Sequence, residues 1–99
     1  MTAETKYAKR RYVVSPGDGR VPVVSPIHCS YVAWRNAGDS AARVLTGTDD
    51  GHYDDLAPGS WDTIIAPPPP GGHRFAPGEA VFDLRAVDNP VDVRVTFVQ

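Results

Sequence analysis

The sequence predicts an all-β chain, an antiparallel sandwich of two sheets with seven or eight short strands, of the jelly-roll or immunoglobulin-like type. Valine occurs 13 times among 99 residues, against three isoleucines and three leucines, and this β-branched side chain packs well on a pleated surface. Ten prolines and nine glycines interrupt the chain too often for a convincing amphipathic helix. Short apolar runs alternate with turn residues at a spacing of about 8–12 residues, which is typical of a sandwich.

The first twelve residues are expected to form an extended, basic N-terminal arm, and residues 13–99 the sandwich domain. Residues 1–20 carry five basic and two acidic side chains, whereas residues 21–99 carry five basic and ten acidic ones. This asymmetry favours contact between the arm and an acidic surface of a neighbouring molecule, for instance another copy of the chain. The alternative is a loose, solvated chain end. The arm residues expected to bind the partner are Tyr7, Lys9, Arg10, Arg11 and Tyr12.

The first half of the chain contains four candidate strands. Pro22 cannot donate a hydrogen bond to a ladder, so the segment around it is expected to be an edge strand. The segment that contains Trp34 is the best candidate for a central strand, because its side chains alternate between an apolar and a mixed face. Residues 36–40 are rich in turn formers and predict a hairpin to the next strand. The four strands are predicted at residues 11–14, 20–25, 29–36 and 41–48.

Three further strands are predicted in the second half, at residues 60–66, 79–87 and 91–98. Residues 91–98 (VDVRVTFV) carry the cleanest period of two in the chain. The acidic segment 49–55 is expected to be a loop. Residues 67–70 are four consecutive prolines, which favour a stiff, extended segment that two glycines then end.

Two similar corners are predicted in front of strands, at residues 56–60 (LAPGS) and 75–79 (FAPGE). Proline sets the first corner of a type II turn, and glycine supplies the positive φ at the second. The leading Leu56 or Phe75 is then expected to turn into the core while the chain reverses. Two such corners suit two sheets that are joined at their ends.

The predicted core is small for a free-standing domain, and we therefore expect the chain to associate with copies of itself or with other partners. Association would bury apolar surface that long proline- and glycine-rich loops leave uncovered. The core is predicted to consist of Val14, Val23, Val32, Trp34, Val44, Leu56, Ile64, Phe82, Leu84, Val93, Val95 and Phe97.

No motif predicts catalysis, a metal or another cofactor, and we expect a protein that is not an enzyme. The acidic segment 49–55 lacks the ligand spacing of an EF-hand loop, and the three histidines are too scattered to predict a zinc site. Cys29 lies in no motif of an activated nucleophile and is expected to be a small buried hydrophobe. Tyr53 and Trp61 are the candidates for contact with a glycan, because aromatic faces pack against sugar rings.

Charge and hydropathy narrow the expected partners and compartment. The net charge of −2 and the pI of about 5.8 do not indicate a polycation built for nucleic acid, so no direct nucleic-acid contact is expected. No stretch is long and apolar enough for a transmembrane helix. The basic start is not followed by the apolar run of a signal peptide, and a single cysteine suits a reducing compartment. We therefore expect synthesis in the cytoplasm.

Residues 31–99 resemble small β-sandwich structural proteins of tailed bacteriophages. The similar segments are YVAWRNAGDSAARVLTGTDD, LAPGSWDTI, FAPGEAVFDLRA and the terminal VDVRVTFVQ. The resemblance implies a non-enzymatic virion component, such as a minor capsid, decoration or head-fibre-base protein, that oligomerises and binds the major capsid protein or other virion subunits. A tail protein, or a small glycan-binding module that meets a host surface, is the alternative. The family has no catalytic residues that map onto this chain.

Overall fold

The computed structural model describes residues 7–47, 51–68 and 70–99, and it has the predicted all-β architecture. Eight strands and one short 3-10 turn, Pro16–Asp18, make up the regular structure of these residues. The strands are β1 (Tyr7–Val14), β2 (Val21–Val24), β3 (Tyr31–Asn36), β4 (Ala42–Leu45), β5 (Tyr53–Leu56), β6 (Trp61–Ile65), β7 (Ala80–Arg85) and β8 (Val91–Val98).

The strands form two antiparallel sheets of four strands each. The front sheet has the order β1-β8-β3-β6, and the back sheet has the order β2-β7-β4-β5. The first strand thus pairs with the last, the second with the seventh, the third with the sixth and the fourth with the fifth. This is the order of an eight-stranded jelly roll, which decides between the two predicted sandwich types.

The core between the two sheets confirms the predicted alternation of inward side chains. Phe97, Val32 and Val95 are fully buried in the front sheet, and the Trp34 ring lies 4.3 Å from the ring of Phe82 across the sandwich. Ile64 is the exception among the predicted core residues, because β6 is an edge strand and leaves this side chain partly exposed. Cys29 is fully buried, as expected, and its Sγ lies 3.2 Å from the Ser25 hydroxyl.

Both proline–glycine corners have the predicted geometry. Gly59 and Gly78 have φ angles of 80° and 88°, which an L side chain rarely adopts. The turns close with hydrogen bonds from the Ser60 and Glu79 amides to the carbonyls three residues earlier, at 3.0 Å in each case. These corners deliver β6 to the front sheet and β7 to the back sheet, so they position the two strands that follow them.

The predicted hairpin over residues 36–40 is wrong, because β3 lies in the front sheet and β4 in the back sheet. Asn36 is fully buried, and its side-chain amide donates to the Ser40 and Leu56 carbonyls at 2.7 and 2.8 Å. Its Oδ1 atom accepts from the Gly38 amide at 3.0 Å. These bonds hold a crossover between the sheets, which uses the same turn-forming residue types as a hairpin.

The predicted acidic loop is also corrected in part. Tyr53–Leu56 forms β5 at the edge of the back sheet, where backbone pairing with β4 overrides the polar composition. Asp55 accepts a hydrogen bond from the Arg43 Nε atom at 3.2 Å. Residues 49 and 50 of this segment, and Pro69 of the proline run, lie outside the described residues.

The structure changes the account of the N-terminal arm for residues 7–12. They belong to β1, and the pairing of β1 with β8 runs from Tyr7 opposite Val98 to Val14 opposite Val91. Every second side chain of β1 is polar and exposed, which made the segment look like an arm, but its backbone completes the edge of the front sheet. Residues 1–6 lie outside the described residues, and an arm there stays a prediction.

Candidate anion-binding face

The outward side of the front sheet, called here the front face, gathers charged and aromatic side chains from four strands. Because successive side chains of a strand point to opposite sides, the buried valines and phenylalanine of each strand identify its outward positions. The register then aligns these positions in three rows across the sheet. The outermost is the arginine row, which consists of Arg11, Arg94, Arg35 and Trp61.

Two further rows lie beside the arginine row. The middle row carries short side chains in its centre, and Lys9 stands at its β1 end. The third, called here the aromatic row, is apolar apart from the tyrosine hydroxyls. The middle row consists of Lys9, Thr96, Ala33 and Thr63, and the aromatic row consists of Tyr7, Val98, Tyr31 and Ile65.

Neighbouring strands in a sheet are about 4.8 Å apart, so the three arginines of β1, β8 and β3 span about 10 Å. Such a row of like charges is costly unless a counter-charge or a ligand accompanies it. Among the outward positions of the front sheet there are four basic side chains and one carboxylate, that of Asp92. The front face is thus basic, although the whole chain carries a net charge of −2.

Asp92 pairs with Arg11 at one end of the arginine row. The Arg11 Nε and Nη2 atoms donate to the two carboxylate oxygens at 3.1 and 3.0 Å, a two-pronged contact. The hydrogen bond from Arg11 lowers the pKa of Asp92, and the bond to Asp92 raises the pKa of Arg11. The Arg11 side chain keeps 63% of its exposure, so this pair orients the guanidinium more than it stabilises the fold.

Arg35 and Arg94 are different, since neither makes an ion pair or a side-chain hydrogen bond with any other described residue. In the back sheet, by contrast, Arg43 pairs with Asp55 and Arg20 pairs with Asp83, at 3.2 and 2.8 Å. The front face therefore offers guanidinium donors that the fold itself does not use.

Two shallow depressions meet in the middle of the front face, and both are lined by Arg94 and Thr96. One has a volume of about 330 Å³ and is lined also by Ala33, Trp34, Arg35 and Trp61. The other has a volume of about 470 Å³ and is lined also by Lys9, Arg10, Arg11 and Val95. The small side chains of Ala33 and Thr96 form their common floor, so the depressions make a continuous trough across the strands.

The structure brings together part of the predicted partner-binding set. Tyr7, Lys9 and Arg11 point outward on the front face, and Tyr7 is 60% exposed. Arg10 is exposed on the edge strand, where its guanidinium donates to the Lys9 carbonyl at 2.8 Å. Tyr12 turns inward instead, and its hydroxyl accepts a hydrogen bond from the Val24 amide at 3.3 Å. Tyr12 thereby links the two sheets.

The two residues predicted for glycan contact lie on different sheets. Trp61 ends the arginine row and is 68% exposed. Tyr53 lies on β5 of the back sheet, where the Arg43 guanidinium carbon stands 3.6 Å from its ring centroid. These two rings therefore do not form one platform.

Sequence reasoning placed Arg35, Arg94, Tyr31 and Thr96 on the outward sides of their strands but did not name them as site residues. Their signal was the period of two itself. Its meaning depends on which strands are neighbours, and β8 lies between β1 and β3 only in the folded sheet.

The Arg11–Asp92 pair predicts a stability that depends on acid. Because the folded pKa of Asp92 is lowered, its contribution is present above the unfolded pKa of about 4 and is lost as the pH falls through the folded value. The Asp92→Asn variant should lose less melting temperature between about pH 5 and pH 2 than the parent chain. The Asp88→Asn variant, which removes an exposed carboxylate without a described ion pair, is the control. Identical curves for the Asp92→Asn variant and the parent would contradict this expectation.

Glu79 acts in the same direction at one of the corners. Its carboxylate accepts hydrogen bonds from the Ala76 amide and from the His73 ring, both at 3.1 Å, and the amide bond is the larger cause of its lowered pKa.

The interior of the sandwich is packed with apolar side chains and contains no comparable polar cluster in the described residues. The one buried side-chain nitrogen or oxygen without a partner there is Trp34 Nε1. Within the described ranges, no three His, Cys, Asp or Glu side chains lie close enough to hold a metal ion. No helix in that part of the chain has the length and apolar character needed to cross a membrane.

Comparisons with known proteins identify the fold. No family model matches the chain, and no curated protein matches it. Among solved structures, the chain is similar to a cupin protein from Bacteroides fragilis, with a TM-score of 0.61 and 19% sequence identity. The similarity covers 97% of this chain and 68% of that one.

The prediction of a bacteriophage virion component is corrected by this finding, because the structural neighbour is a cupin protein and none of the findings points to a phage protein. The resemblance rested on strands joined by proline–glycine corners. Jelly rolls occur in capsid proteins, lectins and cupins alike, so these segments report the architecture and not the role. Of what the resemblance implied, the β-sandwich is confirmed: the chain has a cupin-like jelly-roll fold.

Proposed function

We propose that this chain is a binding domain, without catalytic activity, that holds an anionic ligand on the front face of its jelly roll. The observation that carries the proposal is the arginine row, in which Arg35 and Arg94 lie side by side on adjacent strands without a carboxylate partner among the described residues. The ligand is a chain or cluster of oxyanions, since these accept the parallel N–H groups of a guanidinium.

The rigidity of the site supports this proposal. The arginines project from β-strands whose opposite sides are buried in the core, so their backbone positions are set before a ligand arrives. Preorganised donors lose less entropy on binding than donors on mobile loops do. The strand spacing also presents the guanidinium groups at regular intervals, which suits a ligand with repeated charges.

The chemistry of the front face favours binding over catalysis. Its outward side chains are guanidinium, ammonium, phenol, indole, hydroxyl and aliphatic groups, and its one carboxylate is engaged by Arg11. These groups bind and orient a ligand, but no described pair on this face combines a nucleophile with a base to activate it. Self-association of the chain stays a prediction. Two front faces would not pack against each other readily, since each is basic.

A titration with inorganic polyphosphate tests the proposed function. The Arg94→Gln variant should bind about tenfold more weakly than the parent, because it loses one charge-assisted contact. The Asp92→Asn variant should bind more tightly, because it removes the carboxylate that competes for Arg11.

The matched control is the Arg85→Gln variant. It causes the same change in net charge, but Arg85 lies on β7 of the back sheet. Its affinity for polyphosphate should equal that of the parent. If the Arg85→Gln and Arg94→Gln variants weaken binding equally, or if the parent does not bind at about 50 mM salt, the front face is not the anion site.

A further inference from the structure

The second and third rows of the front face suggest what kind of anionic chain it holds. We infer that the ligand is a single-stranded nucleic acid, with phosphates along the arginine row and bases over the middle row and towards the aromatic row. This inference rests on the proposed function and adds the ligand class.

The two edges of the front face differ in chemistry. The arginine row and the aromatic row are four residues apart along each strand, which is about 14 Å. Between them lie the small side chains of Ala33 and Thr96. A nucleic-acid strand has the same division, with charged phosphates along one edge and flat, uncharged rings along the other. Proteins that bind single strands combine a basic groove with aromatic side chains in this way.

Aromatic side chains stand where bases would need them. Trp61 ends the arginine row on β6, and Tyr7 and Tyr31 lie in the aromatic row on β1 and β3. Trp61 and Tyr7 are largely exposed, at 68% and 60%, although exposing such rings to water is unfavourable. Base stacking would cover them and is worth about 1–3 kcal/mol per base in comparable sites.

An acidic glycan fits this arrangement less well. Its carboxylates or sulfates are attached to the sugar rings, so its charges and its stacking faces lie together and not on separate edges. Only Trp61 among the described aromatic side chains of the front face lies in the arginine row itself. The separation of rings from cations therefore favours a nucleotide chain.

The acidic composition of the whole chain predicted no direct contact with nucleic acid, and the fold changes the basis of that expectation. A ligand on the front face interacts mainly with charges within about 8 Å at physiological salt. Four of the ten basic residues of the chain are gathered on this face. Most of the acidic residues lie elsewhere, so the local charge is opposite in sign to the net charge.

The test uses a fluorescein-labelled thymidine oligonucleotide of about eight nucleotides, with anisotropy as the readout. The parent chain should bind it, and binding should weaken about twentyfold between 50 and 200 mM salt if about three phosphates are neutralised. The Trp61→Ala variant should bind the oligonucleotide about tenfold more weakly but polyphosphate as tightly as the parent does.

The Tyr53→Ala variant is the matched control, because Tyr53 is an exposed ring on the back sheet. Its affinity for the oligonucleotide should not change. Thermal melting checks that each variant is folded. A sulfated oligosaccharide of equal charge should bind more weakly than the oligonucleotide.

The outcomes separate this inference from the proposed function. If polyphosphate binds through Arg94 but the Trp61→Ala variant keeps full affinity for the oligonucleotide, the front face binds anions and the nucleic-acid inference is wrong. Tighter, Trp61-dependent binding of the sulfated oligosaccharide would assign the face to an acidic glycan instead. If none of the three probes binds, both proposals fall together.

Discussion

Replacing Phe97 with alanine is expected to lower the free energy of unfolding by about 3–5 kcal/mol. Phe97 is fully buried on β8, which pairs with β1 on one side and with β3 on the other. Its ring therefore fills the core beneath the centre of the front sheet, and no flexible loop lies close enough in the sheet to collapse into the vacated space. Single domains are stable by about 5–15 kcal/mol, so this one change should remove a large part of the total.

Urea unfolding followed by tryptophan fluorescence measures this loss. The neighbouring Val98→Ala variant is the control, because Val98 points outward on the same strand and is only partly buried. It should cost less than about 1 kcal/mol. A Phe97→Ala variant that unfolds at the same urea concentration as the Val98→Ala variant would contradict the placement of this ring in the core.

Replacing Asn36 with leucine is expected to lower the free energy of unfolding by about 2–5 kcal/mol. The Asn36 amide satisfies the Ser40 and Leu56 carbonyls, and its Oδ1 atom satisfies the Gly38 amide. Leucine has a similar volume but bonds to none of them. Each buried polar group left without a partner costs about 1–3 kcal/mol.

The Asn36→Leu variant should also loosen the crossover between β3 and β4. Hydrogen exchange of the Gly38 amide reports this, since its hydrogen bond ends on the Asn36 side chain. The Asn89→Leu variant, in an exposed turn, should change neither the exchange at Gly38 nor the stability by more than about 0.5 kcal/mol. Unchanged exchange at Gly38 in the Asn36→Leu variant would show that the crossover does not depend on this side chain.

These two variants also bear on the front face. Arg35 lies next to Asn36 at the end of β3, and Arg94 lies three residues before Phe97 on β8. The proposed site thus depends on the same strands that carry the core and the crossover. A loss of packing at Phe97 should weaken anion binding even though Phe97 does not reach the surface.

The sequence by itself determined the all-β class, most strand positions, the two proline–glycine corners and which side of each strand faces inward. The reason is that these features are local: β-branched residues favour extended backbone, glycine allows positive φ at Gly59 and Gly78, and a period of two separates the faces of a strand. Residues 91–98 show this most clearly, since the predicted strand coincides with β8.

Only the tertiary structure decided which strands are neighbours, and the candidate site depends on that. The pairing of β8 with both β1 and β3 brings Arg11, Arg94 and Arg35 into one row, although 24 residues separate Arg11 from Arg35 and 59 separate Arg35 from Arg94. Side-chain periodicity carries no information about such long-range pairs, because it describes a strand without its partners. The crossover at Asn36 was missed for the same reason: whether a turn joins two strands of one sheet or leads to the other sheet depends on contacts far away in the chain.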